Sequence, residues 1–142
     1  MAIFFHNEGI QFDLKRKREY KNWINKVISY RDLKPGDINI IFTSAPRLLQ
    51  INRDFLKHNY DTDVITFDYS EYGIISGDVF VGLEQVKKNS IIFGNDFEME
   101  LSRVMIHGIL HLMGYRDATD GEKEKMHEME EWALKLQDQG IS

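Results

Sequence analysis

Two histidines one helical turn apart, followed by a glycine stop and an acid, constrain this chain more than any other stretch: Val104-Met-Ile-His-Gly-Ile-Leu-His-Leu-Met-Gly-Tyr-Arg-Asp117. Residues at i and i+4 stack on one helix face, so His107 and His111 can both point at a single cation without bending the backbone. Gly114 can take the left-handed conformation that ends a helix, which would swing Tyr115 and Arg116 round and return Asp117 toward the rings. The other reading of Asp117 is a turn carboxylate or a cap for the next helix. Phe97, Leu101, Met105, Ile109 and Leu112 step along one face at a spacing near four, which anchors the helix in a core. Glu100, Arg103, His107 and His111 lie on the adjacent face.

The spacing matches that of metzincin-type zinc proteases, with one substitution: Gly108 stands where those enzymes carry the glutamate that takes a proton from the attacking water. A glycine there argues against ordinary peptide hydrolysis. It also lowers helix stability by about 1 kcal/mol relative to Ala, and leaves room for substrate or for a close-packed neighbour.

Elsewhere the pattern predicts a strand over Ala2 to His6 and a helix from Leu14 to Tyr30 with Tyr20, Trp23, Ile24, Val27 and Ile28 inward. Pro35-Gly36 reads as a break, Ile38 to Phe42 as a strand, and Ser44 with Pro46 as the start of a helix reaching Phe55. Val64 to Tyr69 and Ile74 to Val81, either side of a Tyr72-Gly73 turn, read as an antiparallel hairpin. Leu83 to Ile92 forms a further helix, after which Gly94-Asn95 ends one element and caps the next. Thr119 and Glu122 form a capping box for a last helix with Met126, Met129, Ala133 and Leu136 inward. The fold class is therefore α/β (α+β): a small mixed sheet of four to five strands covered by helices, with a zincin-like metal site on a core helix.

At 142 residues, 42% of them hydrophobic, residues 1–142 are expected to form a single domain. Ile3-Phe4-Phe5 is too short for the apolar region of a signal peptide, and no apolar run is long enough to span a bilayer, so the expectation is a cytoplasmic protein with no membrane partner. With no cysteine, any metal must be held by nitrogen and oxygen. A net charge of −5 would count against nucleic acid, but the excess lies in the tail. Residues 1–116 hold fifteen Lys and Arg against fifteen Asp and Glu, whereas 117–142 hold three against eight. The densest basic run, Lys15, Arg16, Lys17, Arg18 and Lys21, is read as a solvated helix face in preference to an RNA contact.

His107-Gly-x-Leu110-His111-Leu112-x-Gly114-Tyr115 resembles the signature of the YbeY family of bacterial endoribonucleases. Ile51-Asn52-x-x-Phe55, Thr62-Asp63-Val64-Ile65-Thr66-Phe67 and Gly77-Asp78-Val79 follow that family's order and spacing, so the likeness runs from about Lys34 to Trp132. It implies a metal-dependent endoribonuclease that cuts single-stranded ribosomal RNA in rRNA maturation and ribosome quality control. The implied partners are rRNA, the ribosome, and ribosomal or GTPase proteins, with no DNA. The implied ligands, also the catalytic residues, are His107, His111 and Asp117 around one Zn²⁺ per chain. An aspartate here replaces the family's third histidine, and that ligand set also suits nickel, manganese or iron. Leu56 occupies the family's basic position, with Lys57 adjacent as its replacement. Competing functions are a non-catalytic ribosome-assembly factor with a structural metal and a metallohydrolase of small molecules or peptides.

Around the ligands, Lys57, Arg103 and Arg116 are the candidate substrate contacts, with His58 a further one. Arg103 either meets a phosphate or pairs with Glu100. Asp63 and Asp78 either orient a ligand imidazole or activate water, or serve as strand-end hydrogen-bonding groups. His127 reads as a surface histidine, and Trp23 and Trp132 as core.

Overall fold

The computed structural model describes residues 2–57 and 62–140, with side chains as far as Asp138. Its elements run β1 (Ile3–Glu8), α1 (Lys17–Ser29), β2 (Lys34–Thr43), α2 (Ala45–Leu56), β3 (Val64–Asp68), β4 (Ile74–Gly82), α3 (Leu83–Phe93), α4 (Phe97–Leu112) and α5 (Asp120–Gly140). The four strands form one mixed sheet in the order β1-β2-β4-β3, parallel except for the β3–β4 hairpin. This is the α+β architecture that the hydrophobic periodicity predicts.

Strand alternation assigns the two faces. Register aligns Ile38 with Gly77, Ile40 with Val79 and Phe42 with Val81, and these face a core shared with α1, α4 and α5. Ile65 pairs with Phe80 on the opposite face, where Leu48 and Ile51 of α2 complete a smaller cluster. The inward stripe of α1 is the predicted one, yet the helix begins at Lys17 because Arg16 adopts a left-handed conformation, φ 61°. At the other end of the fold, Trp23 Nε1 donates to the Ala133 carbonyl at 2.7 Å and ties α1 to α5.

The expected break at Pro35-Gly36 is instead an irregularity inside β2, where the register with β4 shifts between Pro35 and Ile38. A Cβ at Gly36 would collide with the Ser76 hydroxyl, so the strand can continue only because that residue is glycine. Asn95 does not cap α4. Its N–H donates to the Ser90 carbonyl and finishes α3 together with left-handed Gly94, while Asp96 takes the N-cap position. The Thr119–Glu122 capping box forms as predicted, with Thr119 N to Glu122 Oε1 at 2.9 Å and Glu122 N to Thr119 Oγ1 at 3.1 Å.

Candidate metal centre

Helix α4 is buried along most of its length, from Leu101 through Leu112, which makes it a rigid base for a site. Gly108 faces the sheet. A Cβ built there would lie 2.6 Å from Val79 Cγ1 and 3.3 Å from Thr66 Cγ2, so the small residue makes room for a packed neighbour and not for substrate. The peptidase glutamate therefore has no space at this position, whatever chemistry it would bring.

One residue away on the helix, the His107 side chain is partly exposed, and that of His111 follows one turn later. Their Nε2 atoms stand 3.0 Å apart, and the rings meet nearly edge to face at 77°. Gly114, at φ 101°, reverses the chain as expected, and Asp117 Oδ2 comes to 3.2 Å from His107 Nε2 and 3.4 Å from His111 Nε2. Two ligand atoms held about 2.0–2.1 Å from a tetrahedral zinc lie about 3.3 Å apart, so the three observed edges fit one face of such a coordination shell to within a few tenths of an ångström. The cap reading of Asp117 gives way to Thr119, which holds that place.

The remaining ring nitrogens explain why the three atoms converge. His107 Nδ1 contacts Glu130 Oε2 at 2.6 Å, and the Tyr115 backbone favours the charged form of the His111 ring. With those nitrogens carrying the protons, both Nε2 lone pairs and a carboxylate oxygen point at one place, an arrangement that lacks a donor and suits a divalent cation. Burial, and then the neighbouring His107 charge, hold His111 below its ordinary value, in the neutral form that a metal requires. Burial acts the same way on His107, but the Glu130 hydrogen bond and charge outweigh it and raise the group.

Arg103 does not pair with Glu100. Its Nη1 meets Glu130 Oε1 at 3.2 Å and its Nη2 meets Glu131 Oε1 at 2.7 Å, both on α5. Arg116 is exposed on the turn beside Asp117, where its charge helps lower Glu122. Lys57 caps α2 in a left-handed conformation, and no hydrogen bond or ion pair among the described residues joins it to the three ligands. His58 lies outside the described residues. Asp63 accepts from Asn89 Nδ2 at 3.1 Å, and burial raises it while the nearby His107 charge opposes the rise. Asp78 sits in register with Asn39 on the sheet face away from Val79 and α4, and accepts from Asn39 Nδ2 at 3.1 Å, so it orients no ligand imidazole. His127 is exposed, as expected.

Sequence reasoning missed Glu130, yet a signal was present: an acid between Met126 and Ala133 falls on the inward stripe of α5, where an unpaired charge would be costly. It missed Asn89 as well, for which helical periodicity offers no clue.

Comparison with known proteins shows the family. Residues 3–137 match the family model described as Endoribonuclease YbeY. A protein of that name from Parabacteroides distasonis is 45% identical over 96% of this chain and 96% of its own length. Its namesake in Cytophaga hutchinsonii is 43% identical, with 95% of each chain covered. The solution structure of TM1509 from Thermotoga maritima superimposes with a TM-score of 0.65 at 27% identity, covering 95% of this chain and 88% of the other.

Proposed function

Because the chain belongs to the YbeY family of endoribonucleases, we propose that it is a metal-dependent endonuclease that cleaves single-stranded RNA in ribosomal RNA processing. The observation that carries this reading is the triangle of His107 Nε2, His111 Nε2 and Asp117 Oδ2, whose edges match a tetrahedral metal shell. His107, His111 and Asp117 would hold one Zn²⁺, and nickel, manganese or iron suit the same donors. A cation held there would supply Lewis-acid polarisation of a phosphoryl oxygen or would lower the pKa of a bound water.

The chain's own residues do the rest. His111, neutral by burial, offers its lone pair without first losing a proton. Arg116, exposed next to Asp117 in the chain, is assigned to a phosphate of the incoming strand, and Lys57 is assigned as a further basic contact. Gly108, filled against by Val79 and Thr66, weighs against the peptide-hydrolase alternative. No helix among the described residues is long and apolar enough to cross a membrane, and we place this single hydrolase domain in the cytoplasm, on the ribosome and its proteins.

The test is elemental analysis of the purified protein together with cleavage of unstructured rRNA fragments with and without chelator. Cleavage that requires one bound metal per chain is the expected result. Intact RNA with zinc, manganese or nickel supplied would leave the non-catalytic assembly factor as the better account.

A further inference from the structure

His107 depends on a side chain 23 residues away on another helix. The two oxygens of Glu130 are divided between two tasks. Oε2 meets His107 Nδ1 at 2.6 Å, and Oε1 takes Arg103 Nη1 at 3.2 Å, so the carboxylate cannot rotate without losing one of them. Glu130 is only 8% exposed, and Arg103 supplies the positive charge that such a buried carboxylate needs. The second guanidinium nitrogen is held by Glu131, which keeps the fork from swinging out. Helix α5 is itself fastened by Trp23 Nε1 to the Ala133 carbonyl and by Gln137 Nε2 to Ser102 Oγ at 2.9 Å.

We propose that Glu130, clamped by Arg103, is the positioning residue for the metal site: it holds His107 in the tautomer protonated on Nδ1 and aims Nε2 at the cation, so that the docking of α5 sets metal affinity. A carboxylate only accepts, which makes Nδ1 the donor and frees Nε2 to ligate. This reassigns Arg103 from gripping substrate to holding Glu130. The inference rests on the metal-dependent reading for its consequence, but its first step is visible in metal-free protein. Outer carboxylates of this kind typically change metal affinity about 10–100-fold when removed.

The experiment compares the parent with Glu130→Leu and Glu130→Gln. Nitrogen-15 correlation spectra of metal-free protein at alkaline pH read the His107 tautomer, and competition with a chelator reads the zinc dissociation constant. The parent should show His107 protonated on Nδ1. Glu130→Leu should show mixed tautomers and zinc binding weakened about 10–100-fold, with Glu130→Gln, which keeps an acceptor, between them. A glutamate that merely packs α5 would lower the melting temperature in these variants and leave the tautomer and the zinc constant of the folded protein unchanged, which overturns the proposal. So does an Nε2-protonated His107 in the parent. Should Glu130→Leu not fold, Arg103→Met, which releases the carboxylate without emptying the α5 side, should weaken zinc binding in the same direction, and parent-like binding counts against the clamp. A parent that binds no zinc, manganese or nickel removes the metal reading itself, and the tautomer still decides the Glu130 bond.

Discussion

The two sides of α4 do opposite jobs with opposite materials. Its sheet side is defined by what cannot fit, since Gly108 lies so close to Val79 that even a methyl group would collide. Its cleft side is defined by what must be supplied from elsewhere: Asp117 from the following turn, and Glu130 from α5. Steric constraint fixes where the helix lies, and polar reach fixes what it can do there. Changes on the sheet side should therefore cost stability first, and changes on the cleft side should cost chemistry first.

The sharpest break of that contrast is His111→Ala. Metal stoichiometry should fall from one to near zero and RNA cleavage should drop by at least about 100-fold, while the melting temperature moves by no more than a few degrees. Loss of the fold in this variant would show that the two sides are not separable. Gly108→Val is the mirror experiment: overpacking against Val79 and Thr66 should cost about 1–3 kcal/mol, seen as a fall of several degrees in melting temperature, with the folded fraction still binding metal.

The cleft side should also show a pH signature. Burial disfavours a charged His107, but the bond and charge of Glu130 raise it above its ordinary 6.5. A cation must displace that proton, so zinc affinity should weaken as pH falls through the raised value, by up to about tenfold per pH unit, and level off above it. Affinity that is flat across that range would show His107 to be neutral already.

Smallest of all is Glu100→Gln, next to the boundary between the two sides. Burial raises the Glu100 carboxyl above its ordinary 4.5. The folded chain thus holds this proton more tightly than the unfolded one, a contribution present below 4.5 and lost as pH rises through the folded value. Glutamine escapes the loss. The variant should melt higher at neutral pH, with the gap closing toward 4.5.

The difference between the two sides also decides what the sequence could reveal. The buried stripe of α4, the hairpin and the Thr119 capping box are local patterns with a period of 3.6 or 2, and each was found where it was expected. The triad was legible for the same reason, because His107, His111 and Asp117 are joined by a single helix end whose geometry Gly114 announces. For Arg103 the sequence offers a substrate phosphate or Glu100, its neighbour one turn away, because spacing along the chain points only to local partners or to solvent; its partners sit on α5. Pro35-Gly36 was read as a break for want of the knowledge that Ser76 would lie against it. What escaped, in each case, was a contact between elements far apart along the chain.

The joint between α1 and α5 has a use of its own. Trp23 is buried with its indole bonded to the Ala133 carbonyl, and the Trp132 ring lies tilted against Tyr30 of the same joint, with centroids 4.5 Å apart. These are the chain's two tryptophans. Intrinsic tryptophan emission therefore responds to the seating of α5, so that an untagged molecule carries an optical gauge on the helix that bears Glu130.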